Sequence, residues 1–589
     1  MPSRAAQSQI LLLESMPVTT NDSTRAVFMD ADVIVVGAGL AGLVAAREAI
    51  RGGLSVAVLD QENRQNLGGQ AFWSFGGMFL IDTPQQRRLG VKDSAELAHS
   101  DWSGTAGFDR LDDSDGLAQD RWAKRWAYEY VEFAAGEKAS YLAEHGIKFT
   151  PVVGWAERGG TSADGHGNSV PRFHVPWGTG TGIVKPFINF ALQAEKDGKL
   201  RFHFRHRVTG LVTESGRVVG VEGDVLENSA RDRGRSSTRT RTGGFTITAP
   251  AVVMATGGIG ANSELVRANW PERLGSAPRN MICGVPDYVD GSGLIAAEAA
   301  GARWVNKDRM WHYTEGIINY DPVWPHHGIR ILPGPTPLWF DARGRRLPHP
   351  NLPGYDTPET LKYLRTTEDI KDYDHSWFIV NERILAKEFA LSGSEQNPDI
   401  TSGKMARVLA SRLSTGIPGP VRRFQRQGQD FLTAETLEKL VPQMNQLVGE
   451  ELIDVDELRA QIEARDLQID NPFSKDSQIQ GIHNSRAFRG DRMIRTTKPH
   501  KLLDPAAGPL VAVRLHILTR KSLGGLQTDL ASRVIGSDGE VLPGLWAAGE
   551  AAGFGGGGVH GYRALEGTFL GGAVFSGLLA GRSLVETLH

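Results

Sequence analysis

The stretch "ADVIVVGAGLAGLVAAREAIRGGLSVAVLD", residues 31–60, reads as strand, tight turn, helix and second strand. Val33, Ile34, Val35 and Val36 form a continuous apolar run, as a parallel strand buried on both faces requires. Gly37, Gly39 and Gly42 then give G-x-G-x-x-G. The first glycine turns the chain, the second lets a pyrophosphate approach the backbone, and the third lets helix and strand pack closely. The N–H groups and dipole of the helix start, around Ala38, Leu40 and Ala41, favour phosphate. Asp60 ends the second strand, where its carboxylate would accept a ribose hydroxyl, with Gln61 next to it. Strand, helix, spacing and acid agree on a dinucleotide; the alternative is a glycine turn with no ligand.

A chain of 589 residues is too long for one ordinary domain. With 40% hydrophobic and 23% charged residues it has the composition of a soluble globular protein. A net charge of −3 gives none of the basic excess that nucleic-acid binding needs. The one arginine-rich run, "RDRGRSSTRTRTGG" (231–244), is flanked by strand-like sequence and reads as a solvated hairpin loop. Cys283 is the only cysteine, which excludes intramolecular disulfides, CxxC metal sites and cluster ligation. It fits a reducing compartment, so a cytoplasmic protein without bound metal is expected. No uninterrupted apolar run is long enough to span a bilayer. "ILLLESM" (10–16) is too short for a secretory h-region, so residues 1–30 read as a disordered or extended tail. Met29, just before the first strand, is a second candidate start.

The segment after Asp60 decides between NAD and FAD. "NLGGQAFWSFGGM" (66–78) is a second glycine-rich segment where an NAD domain would continue its βαβ alternation. Far downstream come "FTITAPAVVMATGGIGAN" (245–262) and "GEVLPGLWAAGEAAG" (539–553). In this order the pieces resemble the dispersed FAD-binding elements of the fumarate reductase and succinate dehydrogenase flavoprotein superfamily. The resemblance implies an α/β protein: a Rossmann-like FAD-binding domain built from two chain segments, with an inserted α+β cap. It implies FAD contacts from Gly68, Gly69, Gln70, Ala71, Gly76 and Gly77, and from Ala255, Thr256, Gly257 and Gly258. Glu550, after Gly549, would hold the ribityl-pyrophosphate region. "HRVTGLVTESGRVVGVEG" (206–223) resembles the family's hairpin, with the backbone of Val208 meeting adenine. Gly567, Thr568, Phe569 and Leu570 start the last helix, whose positive end would face the flavin. Family members that bind flavin covalently carry a histidine shortly before the GG segment. "ENRQNLGG" (62–69) has none, so noncovalent FAD is expected.

These elements divide the chain into a tail over 1–30, FAD-binding segments at 31–280 and 505–589, and a cap over 281–504. The cap opens with Asp290-Gly291 and a helix ending in Ala300-Gly301-Ala302, similar to the family's GDG-helix-GA element. It includes helical, charge-patterned sequence such as "VDELRAQIEARDL" (455–467). "HVPWGTGTGIVKPF" (174–187) reads as a loop near the cofactor.

A flavin without haem or cluster ligands points to a hydride step, paired with proton transfer at the neighbouring carbon beside a carbonyl. The fumarate-reductase branch clamps a dicarboxylate with histidines and arginines. Here "TRKSLGG" (519–525) has Arg520 and Lys521 at the histidine positions, Ala564 stands at an arginine position, and Arg330 lies a few residues from the acid-arginine position. The 3-ketosteroid dehydrogenases resemble the C-terminus better: GGLxTD at Gly524 to Asp529, PGLxAAG at Pro543 to Gly549, and H-x-Y at His560-Gly561-Tyr562. That resemblance gives Tyr562 the carbonyl-polarising role and makes Tyr313 the candidate base partner. Two departures stand out: Glu566 occupies a family glycine position, and residues 151–175 contain no tyrosine where the family has one. The early glycines of "GFGGGGVHGYRALEGTFLGG" (553–572) would let backbone run under the flavin. Arg514 and His516 share a strand face that looks into the site or out to solvent.

The leading expectation is an FAD-dependent dehydrogenase, or the reverse reductase, acting on a C–C bond beside a carbonyl. Its partners would be a small carbonyl substrate and an external electron acceptor or donor. The alternatives are a fumarate- or ene-type reductase, and an FAD-holding redox protein whose substrate site has decayed.

Overall fold

The computed structural model describes residues 27–29, 31–114, 116–161, 165–404 and 416–589. Strand Val33–Val36 lies inside a six-stranded sheet, between Ala251–Met254 and Val56–Asp60. Leu200–Phe204 forms one edge, Val541–Ala547 extends the other side, and these five strands are parallel. Arg533–Ile535 closes the sheet as an antiparallel edge strand. Side chains alternate across it as strand geometry requires. Val33 and Val35 enter the core beneath helices Leu40–Arg51 and Thr568–Leu588, whereas Ile34 and Val36 enter the core on the opposite face. That second face is covered by a four-stranded sheet built on the hairpin His206–Glu214 and Arg217–Leu226, which turns at Ser215 and Gly216, both with positive φ.

Helix Thr568–Leu588 is the one helix among the described residues with the length and apolarity to cross a bilayer. It packs on Leu40–Arg51, and 78% of its apolar window is buried in the fold. The expected tail over 1–30 falls mostly outside the described residues. Its described part, Val27–Met29, is extended and pairs in parallel with Arg241–Thr248.

A second, eight-stranded sheet is built around Leu510–Ser522, which pairs with His375–Asn381 and Met310–Ile318. This corrects the return point at 505: Leu510–Ser522 is the middle of the second sheet, and the first sheet resumes only at Arg533–Ile535. The helical reading of 455–467 matches helix Val455–Ile469, which joins the core beside this sheet.

Two loop readings change. After strand Phe173–Pro176, residues 179–196 form helix Thr179–Lys196. Its glycines permit close packing: a Cβ on Gly180 would lie 2.1 Å from the Ala71 carbonyl oxygen. The arginine-rich hairpin connection is only partly solvated: Arg231, Arg235 and Arg241 are exposed, whereas its middle docks. Arg233 lies 3.9 Å over the Phe72 ring, and buried Glu62 accepts from Ser237 and pairs with Arg239.

Candidate functional site

A long cavity of about 200 Å³, part of it open to solvent, runs from the C-terminal ends of the first sheet's parallel strands to the second sheet. Open α/β sheets bind ligands at that edge. Of the expected cofactor residues, Gly37, Gly39, Leu40, Ala41, Asp60, Gln61, Gly68, Gly69, Gln70, Ala71, Gly76 and Gly77 line it. So do Val208, Ala255, Thr256, Gly257, Gly549, Glu550, Gly567, Phe569 and Leu570.

Four expected contacts stand behind the wall instead. The Ala38 N–H donates to Asp60 Oδ2 at 2.8 Å, fixing the glycine turn to the acid. A Cβ on Gly42 would lie 2.1 Å from the Gly37 carbonyl oxygen, so this glycine serves helix–strand contact. A Cβ on Gly258 would come within 2.5 Å of both Ser522 Oγ and Glu550 Oε1. Thr568 is buried, and its Oγ1 pairs with His560 Nε2 at 2.9 Å.

The nucleotide-side end is built for a polar ligand. Gln61 Oε1, Arg207 Nε, Thr256 Oγ1 and Tyr288 OH are buried atoms without hydrogen-bond partners, and all four residues line the cavity. Such orphans are rare in folded proteins, and four on one wall indicate a ligand with hydroxyl and ring-nitrogen groups. Asp60 spends one lone pair of each oxygen on the N–H groups of Ala38 and Glu62, leaving others for a ribose. The first turn of helix Leu40–Arg51 has no side-chain cap, so its N–H groups are free for a pyrophosphate. Further along, Glu550 accepts from the Ser522 N–H at 2.8 Å and from Gln70 Nε2 at 2.6 Å, and Lys521 bridges Gln70 and Glu550. These residues fit FAD.

At the other end, Tyr313, Arg330 and Glu566 share the wall. Strand Gly328–Leu332 supplies Arg330, and Met310–Ile318 supplies Tyr313 and Glu315. Glu157 follows Phe149–Gly154, and Glu566 precedes the last helix. Arg330 is 2% exposed; Nη1 meets Glu566 Oε1 at 2.8 Å, Nη2 meets Glu157, and Nε lies 3.9 Å from Glu315. Its guanidinium also lies 3.9 Å over the Tyr313 ring. Three carboxyls around one cation would bury two net negative charges if all ionised, which is too costly to stand. Burial, with Glu566 and Glu315 nearby, accordingly pushes the Glu157 carboxyl well above the usual range despite Arg330. Burial and the Glu566 charge likewise push the Tyr313 phenol up, so it keeps its proton.

Tyr562 does not take the place expected of it. It is half-buried, off the cavity wall, and its OH donates to Asp109 at 3.0 Å. Arg309 and Arg273 cover its ring at 4.0 and 4.6 Å. The cause is local: Gly561 at φ +57° and the Tyr562 N–H, bonded to the Ala106 carbonyl, turn the chain against helix Ala95–Ala106. The glycine run behaves similarly. Gly555 and Gly556 fit against Trp126 and Ala123, and only Phe554 of this stretch before Glu566 reaches the wall.

The strand cations divide. Arg514 and His516 are held by buried Asp430 at 3.0 and 2.9 Å, whereas Arg520 and Lys521 line the cavity. The residues missed from sequence are Glu157 and the role of Arg330. Their one signal was Glu566 itself, since a carboxylate at a buried glycine position requires a cation.

A family model described as FAD binding domain matches residues 32–570. A KsdD-like steroid dehydrogenase of Mycobacterium tuberculosis (strain CDC 1551 / Oshkosh) is 54% identical over 580 residues, spanning 98% of this chain and 100% of that protein. One from Mycolicibacterium smegmatis (strain ATCC 700084 / mc(2)155) is 57% identical over 541 residues, 92% of this chain and 96% of its own. Among solved structures, the 3-ketosteroid Δ1-dehydrogenase from Sterolibacterium denitrificans, in complex with 1,4-androstadiene-3,17-dione, superposes with a TM-score of 0.63. That match covers 95% of this chain and 99% of the other at 17% identity, a likeness of fold.

Proposed function

This chain belongs to the FAD binding domain family and, within it, to the KsdD-like steroid dehydrogenases, and on that footing we propose that it desaturates a C–C bond beside the ring ketone of a steroid-sized substrate. It is an FAD-dependent enzyme acting on CH–CH groups. FAD, when bound, accepts a hydride from the substrate carbon. Residues from the first helix start to Glu550 hold the cofactor, noncovalently, in a Rossmann-like domain, and the second sheet with its helices forms the cap. We place the protein in a reducing, cytoplasmic setting, with its electrons passing to an external acceptor.

The observation that carries this reading is the grouping of Tyr313, Arg330 and Glu566 on one wall of the cavity. The Tyr313 phenol, which keeps its proton, donates a hydrogen bond to the carbonyl oxygen and acidifies the neighbouring C–H bond. Arg330 beneath the ring adds positive field as charge develops on that oxygen. Glu566 receives the α-proton, which makes its presence at a family glycine position the counterpart of the missing base tyrosine. The charged set is intact and the cavity continuous, which argues against a decayed site. The reverse reduction of an enone uses the same groups, and Arg330 on the wall is the feature that favours it.

The test is anaerobic mixing of holoenzyme with ketosteroids and with simpler cyclic ketones while the visible flavin absorbance is followed. Bleaching by ketosteroids is expected. If no ketone reduces the flavin and no enone reoxidises the reduced enzyme, the reading is wrong.

A further inference from the structure

Glu566 lines two cavities. Besides the main one it walls a second, small pocket that is partly open to solvent, with about 10 Å³ of room, enough for about one water molecule. Glu157 faces the same pocket from the Arg330 side, and Asp356, Arg563 and His166 face it from the other. Asp356 caps helix Thr357–Thr366, accepting the Glu359 N–H at 3.2 Å, and pairs with His166 Nε2. Arg563 Nε lies 3.6 Å from the same carboxylate and has no hydrogen-bond partner, while its Nη2 is held by Glu359 at 2.8 Å. The His166 side chain is 22% exposed, so the row ends at solvent. The Gly160 N–H bonds the His166 carbonyl and the Gly167 N–H bonds Thr105 Oγ1 at 2.7 Å, which sets the imidazole at this mouth.

We propose that the proton taken from the substrate leaves through this row: from Glu566 to the water of the small pocket, on to Asp356, and out through His166. The inference rests on the dehydrogenase reading above. Two C–H bonds of the substrate break; one electron pair leaves as hydride to the flavin, which is reduced, and the other stays in the new C=C bond. The second hydrogen leaves as a proton to the Glu566 carboxylate. Glu566 passes it to the pocket water, and that water releases a proton to Asp356, from which His166 takes it at Nε2 in the tautomer that carries its ring proton on Nδ1. The imidazole then sheds the Nδ1 proton to bulk water and regains its starting tautomer by proton exchange with solvent. A separate exit lets the proton leave without passing a substrate held between Glu566 and the mouth of the main cavity. Burial works against the Asp356 charge, but the His166 hydrogen bond and Arg563 hold its carboxyl below the usual range. It therefore orients His166 and hands the proton on without storing it. His166 and Asp356 are positioning residues in this scheme; neither touches the reacting atoms.

The test is a single turnover of FAD-loaded enzyme in weak buffer, with the flavin absorbance and a soluble pH-indicator dye recorded together. In the wild-type protein, dye and flavin signals should coincide. In His166→Ala the flavin should bleach at nearly the wild-type rate, while proton release falls about 10-fold or more behind. Added imidazole should restore it, which a structural defect would not allow. His166→Gln, which fills the same space, and Asp356→Asn should show the same lag. A dye signal that still follows the flavin in His166→Ala or His166→Gln overturns the relay, as does a lag that imidazole leaves unchanged. If the wild-type flavin does not bleach at all, the dehydrogenase reading fails first and the relay with it.

Discussion

Arg330 Nη1 and Glu566 Oε1 meet at 2.8 Å although the residues lie 236 positions apart, joining the second sheet to the loop before the last helix. Because Glu157 and Glu315 share the same guanidinium, loss of the cation strands three buried carboxyls. Removing one partner of a buried ion pair typically costs about 3–5 kcal/mol. Arg330→Leu should therefore lower stability by about that amount in urea unfolding of the holoenzyme. Glu566→Gln should cost less, since two carboxyls still compensate Arg330, while slowing flavin reduction. A wild-type urea midpoint for Arg330→Leu would show that the ion set does not tie the second sheet to the loop before the last helix.

Tyr313 and Tyr562 make opposite predictions when the hydroxyl is removed. Tyr313 lines the cavity with a phenol that keeps its proton, so Tyr313→Phe should slow flavin reduction by about 10²–10⁴-fold with FAD retained. Tyr562 spends its OH on Asp109, away from the cavity, so Tyr562→Phe should stay within about twofold of wild type, a surface hydrogen bond being the only loss. Anaerobic stopped-flow on the two variants decides. The reverse ranking would return the carbonyl to Tyr562.

The difference between these tyrosines shows what the sequence could convey. The glycine turn at Gly37, the apolar strand before it and the ATGG segment each carry their own local geometry, so the cofactor half was legible from motif and spacing. The substrate end was not. Tyr313 and Arg330 sit on two strands of the second sheet, while Glu157 and Glu566 come from loops far away in sequence, after Phe149–Gly154 and before the last helix, and only the tertiary fold groups them. Tyr562 was misplaced for a related reason. The H-x-Y resemblance fixes a sequence position, but the Gly561 turn and the Ala106 contact decide where the ring points. The glycines around it misled similarly, since tight packing on Trp126 and close approach to a cofactor ask for the same residue.

Two glycines test the cofactor end separately. Gly37 has φ +105°, and an added Cβ would sit 2.4 Å from the Ala255 carbonyl oxygen, a backbone atom that cannot swing aside. Gly258 lies off the wall, but its Cβ would press on Ser522 Oγ and on Glu550, whose carboxylate faces the cavity. Gly37→Ala and Gly258→Ala should both purify with less flavin, read as the ratio of visible to protein absorbance. Acid precipitation of the wild-type protein should leave all flavin in the supernatant, as noncovalent binding requires. Full flavin content in Gly37→Ala would mean that the turn has slack the geometry does not show.

Glu395 offers a pH signature independent of the active-site carboxyls. Burial pushes its carboxyl up to about 7, only partly offset by its own backbone hydrogen bond and the Arg520 charge, and Oε2 has no hydrogen-bond partner. The folded-state value lies above the unfolded one, so the native protein holds a proton that the unfolded chain has already lost. The stabilising contribution is complete below about pH 4.5, the unfolded value, and is lost as pH rises through 7. A shift of this size corresponds to about 3 kcal/mol between the two limits. Glu395→Gln cannot ionise, so its stability relative to wild type should improve from pH 5 to pH 8 by up to about 3 kcal/mol, measured as urea midpoints of the holoenzyme. Parallel pH profiles for the two proteins would mean that Glu395 is ionised in the fold, with a partner satisfying Oε2.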